Sequence, residues 1–327
     1  MAMPKIIPQE IKDTILRYKS NNPHLSFNRL AGIIVKEKAV KGIQSQDGLR
    51  KYVARVLKES ETEKFENENS DEAFFCPESL YEEHPSYILP TSYSKILVVA
   101  DIHIPFHSKK NIETTFQYAK KRNIDCIIID GDLLDCYSVS RFNKDMPLTI
   151  ADELKVLHSF FDYIRKMFPR TKIIYKEGNH DERWKHYIDK HREQFGNIPE
   201  FSLEYLSHCG KYNIECVKDK RVIQVGKLYI IHGHEIFSGS GAVNVARNIR
   251  LKTNDNVLFG HFHRTQDDFA RTISDSLIGS WAIGSLCGLS PLYMPINNWN
   301  NGFAIVNLED GGMFEVENKK IVNGEIK

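Results

Sequence analysis

The chain has 327 residues, 41% of them hydrophobic and 27% charged, with a formal net charge of +1. That length and balance allow one large catalytic domain plus a small one, and they exclude a disordered, collagen-like or disulfide-stapled chain. The small total hides a split. Met1–Ser60 carries 12 Lys and Arg against 5 Asp and Glu, a net of +7, and Glu61–His84 carries 1 Lys against 9 acids, a net of −8. The six cysteines (Cys76, Cys126, Cys136, Cys209, Cys216, Cys287) form no CxxC pair and predict reduced thiols. The opening MAMPKIIPQEIKD has no apolar signal core, and no run of about 18 apolar residues follows, so a cytoplasmic protein is expected.

Residues 1–60 read as a small all-α domain. Ile11, Ile15 and Tyr18 recur at helical spacing, and Ser26 stands as an N-cap before Leu30, Ile33 and Ile34. Ser45 and Asp47 open a third helix, SQDGLRKYVARVLKE, with an apolar stripe of Leu49, Val53, Val56 and Leu57. Arg50, Lys51, Arg55 and Lys58 lie largely off that stripe. Three short helices ending in a basic one have the outline of a helix-turn-helix that binds nucleic acid. A solvated basic face on a helical cap fits the same pattern. Residues 61–92 read as an acidic linker that packs in part through Phe74, Phe75 and Tyr81.

From Lys95 short apolar runs alternate with amphipathic stretches. ILVVA (96–100), CIIID (126–130) and KIIYK (172–176) are buried strands. Between them lie a helix carrying Ile112, Phe116 and Ala119 and one carrying Leu154, Leu157, Phe161, Ile164 and Phe168. LYII (228–231), VLF (257–259) and FAIVNL add further sheet. The alternation implies parallel β-α-β units in an α/β or α+β domain with helices against the sheet.

Each strand exit carries polar chemistry: Asp101-Ile102-His103, Gly131-Asp132 through Asp135, Gly178-Asn179-His180-Asp181, His232-Gly233-His234 and Gly260-His261-Phe262-His263. One such exit means little, because a lone strand-end histidine is usually a hydrogen-bonded structural residue. Five exits in one domain can converge, since ligands in α/β sheets gather at the carboxyl ends of strands. Asp101 with His103, and His261 with His263, are spaced two apart, so an extended exit would turn each pair to one face. Asp132 carries two oxygens and can bridge two ions. Oxygen and imidazole donors without thiolate favour Mn²⁺, with Fe or Zn²⁺ also suited. Two divalent ions about 3.5–4 Å apart clamp the attacking and leaving oxygens of an in-line displacement and generate hydroxide near neutral pH.

The ordered series DxH, GDxxD, GNHD, HGH and GHxH, covering Lys95 to about Leu308, resembles the calcineurin-like metallophosphoesterase superfamily. The wording of DIHIPFH, GDLLDCYSVSRF and GNHDERW looks like the phage and bacterial members. The resemblance implies a two-sheet β-sandwich flanked by helices over residues 93–327. It implies one metal on Asp101, His103, Asp132 and His263, and a second on Asp132, Asn179, His232 and His261. It also implies that His180 stabilises the transition state or protonates the leaving group, oriented by Asp135. GDLLDC and Glu177 stand where the Ser/Thr protein phosphatases place arginines, which disfavours a protein phosphatase. Arg141, Arg183 and Arg264 follow motifs and are candidate phosphate contacts, with His107 and His234 beside the site.

The leading expectation is a dinuclear phosphodiesterase on nucleic acid, the basic helices holding the polyanion. A phosphomonoesterase or nucleotide hydrolase, with those helices as a cap or oligomerisation element, is the alternative. A DNA-binding regulator with an inactive phosphoesterase domain is the third.

Overall fold

The computed structural model describes residues 7–37, 46–68, 76–142, 144–196, 198–236 and 243–327. The chain divides into two compact units, Met1–Tyr81 and Glu82–Lys327. No helix among the described residues is long and apolar enough to cross a membrane.

The first unit contains α1 (Gln9–Asn21), α2 (Phe27–Lys36) and α3 (Gln46–Glu68). Their shared core is built from Ile15, Leu30, Ala31, Ile34, Leu49, Tyr52, Val53, Val56 and Leu57. These positions recur at three and four residues, which places one face of each helix inward. Arg50, Lys51, Arg55 and Lys58 all remain exposed on the opposite side of α3, with Arg55 paired to Glu59 at 2.8 Å. Ser26 stands at the N-cap of α2, but its side chain makes no capping hydrogen bond. Ser45, Phe74 and Phe75 lie outside the described residues.

Segment 61–92 is not a plain linker. α3 runs on to Glu68, because the apolar stripe already anchors its first turns and Glu61–Glu68 holds no proline or glycine to stop it. At the other end Tyr87–Ile88 forms β1, which pairs with residues 223–224. Tyr81 is 77% exposed, so it does not provide the packing expected of it.

The second unit runs β2 (Lys95–Val99), α4 (Lys109–Lys121), β3 (Cys126–Asp130), α5 (Ile150–Met167), β4 (Lys172–Lys176), α6 (Glu182–Lys190), α7 (Arg192–Phe195), α8 (Leu203–Leu206), β5 (Ile214–Val217), β6 (Ile223–Val225) and β7 (Leu228–Ile231). It continues through α9 (Val245–Thr253), β8 (Val257–Phe259), β9 (Gln266–Arg271), β10 (Leu277–Ala282), β11 (Asn301–Leu308), β12 (Phe314–Val322) and β13 (Glu325–Ile326). One sheet has seven strands in the order β13-β12-β11-β2-β3-β4-β5, the other six in the order β1-β6-β7-β8-β10-β9. Strands β2 to β5 are parallel, as are β7, β8 and β10.

The period of two along each strand divides the core. Ile96, Val98, Ile128 and Ile174 face Val225, Ile230, Leu258 and Ile283 between the sheets. Leu97, Val99, Ile127, Ile129 and Ile173 face Phe116 of α4 and Leu157, Phe161 and Ile164 of α5. On the outer face of the second sheet, Val257, Phe259 and Ala282 cover Val245 and Ile249 of α9. The domain is a two-sheet sandwich flanked by helices. Both sheets send parallel strands to the same end, where the polar exits lie.

Candidate metal centre

The exits of β2, β3, β4, β7 and β8 meet in one cluster. Three groups of donors converge: His103–Asp132–His180, Asp132–His232–His261 and His103–His263–Cys287, the donor atoms of each within 4.8 Å of one another. Asp132 belongs to the first two groups. Its Oδ2 lies 3.2 Å from His232 Nε2 and 3.8 Å from His103 Nε2, and its Oδ1 accepts from the His180 amide at 2.7 Å. Asp101 Oδ1 lies 3.2 Å from His263 Nε2, and its Oδ2 accepts from the His261 amide at 2.8 Å.

The exits achieve this convergence by a route that spacing does not predict. Asp101, His103, Asp132, His261 and His263 all have positive φ, between 50° and 65°. The pairs two residues apart therefore share a site through left-handed turns, and the alternation of an extended strand is not the cause. Non-glycine residues occupy this region at a cost, and such outliers persist where the surroundings over-determine them. The turns also need glycine. A Cβ on Gly131, at φ 81°, would lie 2.3 Å from His232 Nδ1, and one on Gly178 would lie 2.3 Å from Asp132 Oδ1.

The back of each ring is fixed. His232 Nδ1 donates to the Asp130 carbonyl at 2.6 Å, because a carbonyl only accepts, and this turns Nε2 inward. His103 Nδ1 donates to Asp135 Oδ1 at 3.0 Å, which turns its Nε2 inward too. Asp135 Oδ1 also takes His180 Nδ1 at 3.0 Å. Burial works to raise the Asp135 carboxyl, but the hydrogen bonds from His103 and His180 outweigh it and hold it below the usual carboxylate range. One carboxylate thus orients two imidazoles.

These donors suit a cation. Asp101 Oδ1, Asn179 Oδ1 and His232 Nε2 are buried without a hydrogen-bond partner among the described residues. His103 Nε2 and His263 Nε2 face each other at 3.3 Å. Burial opposes charge on His263 and His232, yet Asp101 lifts His263 to about 10 and Asp132 lifts His232 well above its ordinary value. The carboxylates draw positive charge to the point where imidazole nitrogens meet. His261 differs: burial, then the nearby His232, lowers it to about 4 and leaves its ring neutral.

Arg183 joins the cluster, donating to His180 Nε2 at 2.9 Å and to the Asp135 carbonyl at 2.9 Å. Arg141 does not. It is exposed and stacks on Phe142, 5.3 Å from the ring centre. Arg264 is half-buried after His263, and burial lowers its guanidinium. His234 Nε2 lies 3.3 Å from Glu182 Oε1, and His107 sits in an adjoining cleft.

Several supporting residues escaped the sequence reading. Asp181 accepts from the amides of Gly178 at 2.8 Å and Leu134 at 3.0 Å, joining the exits of β4 and β3. It ends the GNHD block, so the motif contained it without revealing its task. Cys287 Sγ lies 3.8 Å from His263 Nδ1 and within donor reach of His103. Its position 24 residues beyond His263 gives no local signal. Lys176, fully buried at the end of β4, pairs with Glu235 at 2.7 Å. Glu235 in turn accepts from the amides of His232 at 3.1 Å and Gly233 at 2.7 Å. Burial would raise Glu235, but Lys176 outweighs it and brings it to about 2. A lysine closing a buried strand was the available sign. Lys176→Met is expected to strand the Glu235 charge, costing about 3–5 kcal/mol and lowering Tm by on the order of 10 °C in thermal unfolding. A change within 2 °C would mean the pair is not structural.

A two-sheet sandwich with carboxylate, amide and imidazole donors gathered at its parallel strand ends defines the class: a metal-dependent phosphoesterase. Residues 94–280, more than half of the chain, match the calcineurin-like phosphoesterase family, and the chain belongs to that family. It is similar to the Gene 54 protein of Mycobacterium phage L5, 24% identical over 245 residues, 70% of this chain and 94% of the relative. The Gene 54 protein of Mycobacterium phage D29 is 23% identical over 244 residues, with the same shares. Among solved structures it is similar to Vps29 of Chaetomium thermophilum (TM-score 0.39, 13% identity, 72% of this chain and 95% of that one). It is also similar to Yfce, a phosphoesterase from E. coli (TM-score 0.33, 15% identity, 66% and 88%).

Proposed function

We propose that the chain hydrolyses phosphodiester bonds of nucleic acid with two divalent ions. The observation that carries this is the sharing of Asp132 between His103 on one side and His232 and His261 on the other. Asp101, His103, Asp132 and His263 would hold one ion, and Asp132, Asn179, His232 and His261 the other. Mn²⁺ fits these oxygen and nitrogen donors, with Fe or Zn²⁺ as substitutes. The ions, when bound, supply Lewis acidity toward phosphoryl oxygens and activate water for in-line attack. The protein's own groups do the rest. Asp135 holds His180 through Nδ1 and Arg183 holds its Nε2, the edge that would turn to the leaving oxygen once substrate displaces that contact. Arg183, tied to both, presents guanidinium N–H groups beside it for a phosphoryl oxygen.

Nucleic acid is favoured over a small monoester by α3, where Arg50, Lys51, Arg55 and Lys58 lie exposed on one side of the stripe. The test compares bis-p-nitrophenyl phosphate, p-nitrophenyl phosphate and single- and double-stranded DNA with Mn²⁺. Diester and DNA cleavage are expected, and Arg50→Glu with Lys51→Glu should weaken DNA binding about tenfold or more at low salt while sparing the nitrophenyl diester. Turnover of the monoester alone would refute this reading.

A further inference from the structure

A cleft of about 430 Å³ opens directly from the metal centre, with His103, Asp135 and His263 forming its inner end. Away from that end its lining turns aromatic and apolar: Phe106, Tyr137, Met146, Leu292, Tyr293 and Trp299. We propose that this cleft is a subsite for one unstacked nucleobase of the strand whose phosphate occupies the metal centre. The assignment rests on the nucleic-acid reading above and narrows it to single-stranded or frayed substrates, because a paired duplex keeps its bases stacked away from such a cleft.

Three observations carry it. The rings provide stacking faces and edges. Phe106 meets Tyr137 edge-on at 5.4 Å, and Trp299 lies against His263 with ring centres 4.2 Å apart, so aromatic surface continues up to a candidate ligand. Base–aromatic stacking accepts any base and is the usual means of holding single strands. The lining also carries polar groups, Asp145, Ser290 and His107, suited to the amide and amino edges of a base and ill-suited to a lipid chain. Finally, the walls are held in place. Tyr137 Oη accepts from the amide of Met146 at 3.0 Å and also from that of Asp145. Gly288 donates to the Phe106 carbonyl at 2.9 Å, and Asn297 Nδ2 donates to the Leu289 carbonyl at 2.6 Å. A cleft braced on its backbone asks little ordering of a ligand. Tyr293 and Leu292 are 74% and 82% exposed at the rim, an apolar pair that an entering base would cover.

The test is binding to the Mn²⁺-loaded full chain, with phosphonates whose P–C bond resists hydrolysis. Uridine 5′-methylenephosphonate and its ribose counterpart differ only in the base. Calorimetry is expected to give the uridine compound a Kd about tenfold or more lower. Tyr293→Ala, at an exposed position, should remove most of that gain, and Phe106→Ala should remove it likewise. Equal Kd values, or a gain that survives both variants, would overturn the subsite. Phenylphosphonate binding as tightly as the uridine compound would also overturn it, assigning the cleft to aryl esters. Base-dependent affinity without any diester turnover would keep the subsite and remove the nuclease. Diester turnover without base-dependent affinity would do the reverse.

Discussion

Asp132→Asn is expected to lower diester turnover by at least about a thousandfold, with loss of bound metal. Asp132 Oδ2 stands between His232 Nε2 at 3.2 Å and His103 Nε2 at 3.8 Å, and Oδ1 takes the His180 amide. Burial resists its charge, but His232 and His180 hold it well below its ordinary value. Asparagine keeps the shape and one acceptor. It removes the negative charge and, with Oδ1 still on the His180 amide, puts an NH₂, which has no lone pair to coordinate a cation, where Oδ2 faced His232 and His103. Both donor groups that share the residue should fail together. Steady-state rates, metal content by atomic emission and far-UV circular dichroism test this on one preparation. A variant within tenfold of the parent and fully metallated would show that Asp132 bridges nothing.

His180→Gln should behave differently: about 10²–10⁴-fold lower kcat with metal content unchanged. His180 lies near enough to His103 and Asp132 to count as a donor by distance alone. Its Nε2 is 4.0 Å from Asp132 Oδ2 and is taken by Arg183 at 2.9 Å, while Nδ1 is held by Asp135. With both nitrogens held by protein groups, neither is offered to an ion, and the expected role is at the substrate, through the His180–Arg183 pair. Glutamine loses the imidazole without disturbing the Asp135–His103 hydrogen bond, so the neighbouring ligand stays oriented. Loss of metal in this variant would make His180 a ligand and move the leaving-group role elsewhere, with Arg183 the nearest cation.

The parallel strands and their helices were legible because their signal is local. Ile96–Ala100, Cys126–Asp130 and Lys172–Lys176 are apolar on both faces, as strands covered by helices on one side and a second sheet on the other must be. The helix carrying Leu157, Phe161 and Ile164 announced its buried stripe by spacing alone. The weakly patterned strands were not legible. β9, QDDFAR, alternates between half-buried and exposed positions with few apolar residues and is identified only by its pairing with β10. β1 is two residues long and exists because β6 accepts it.

For the site, the amino-acid sequence by itself determined which chemical groups leave each strand, since carboxylate, amide and imidazole are properties of single residues. It also determined the order of the blocks and hence the family. Tertiary structure alone decided how those groups meet. The left-handed turns at Asp101, His103, Asp132, His261 and His263 arise from cross-strand contacts such as the His261 amide on Asp101 and the His180 amide on Asp132, which join residues 160 and 48 positions apart. It likewise separated Arg183, drawn onto Asp135 and His180, from Arg141, left on the surface, although both follow a motif. The physical reason is the same throughout. A side chain's chemistry is written at its own position, whereas its direction and charge are set by partners that only the fold brings near.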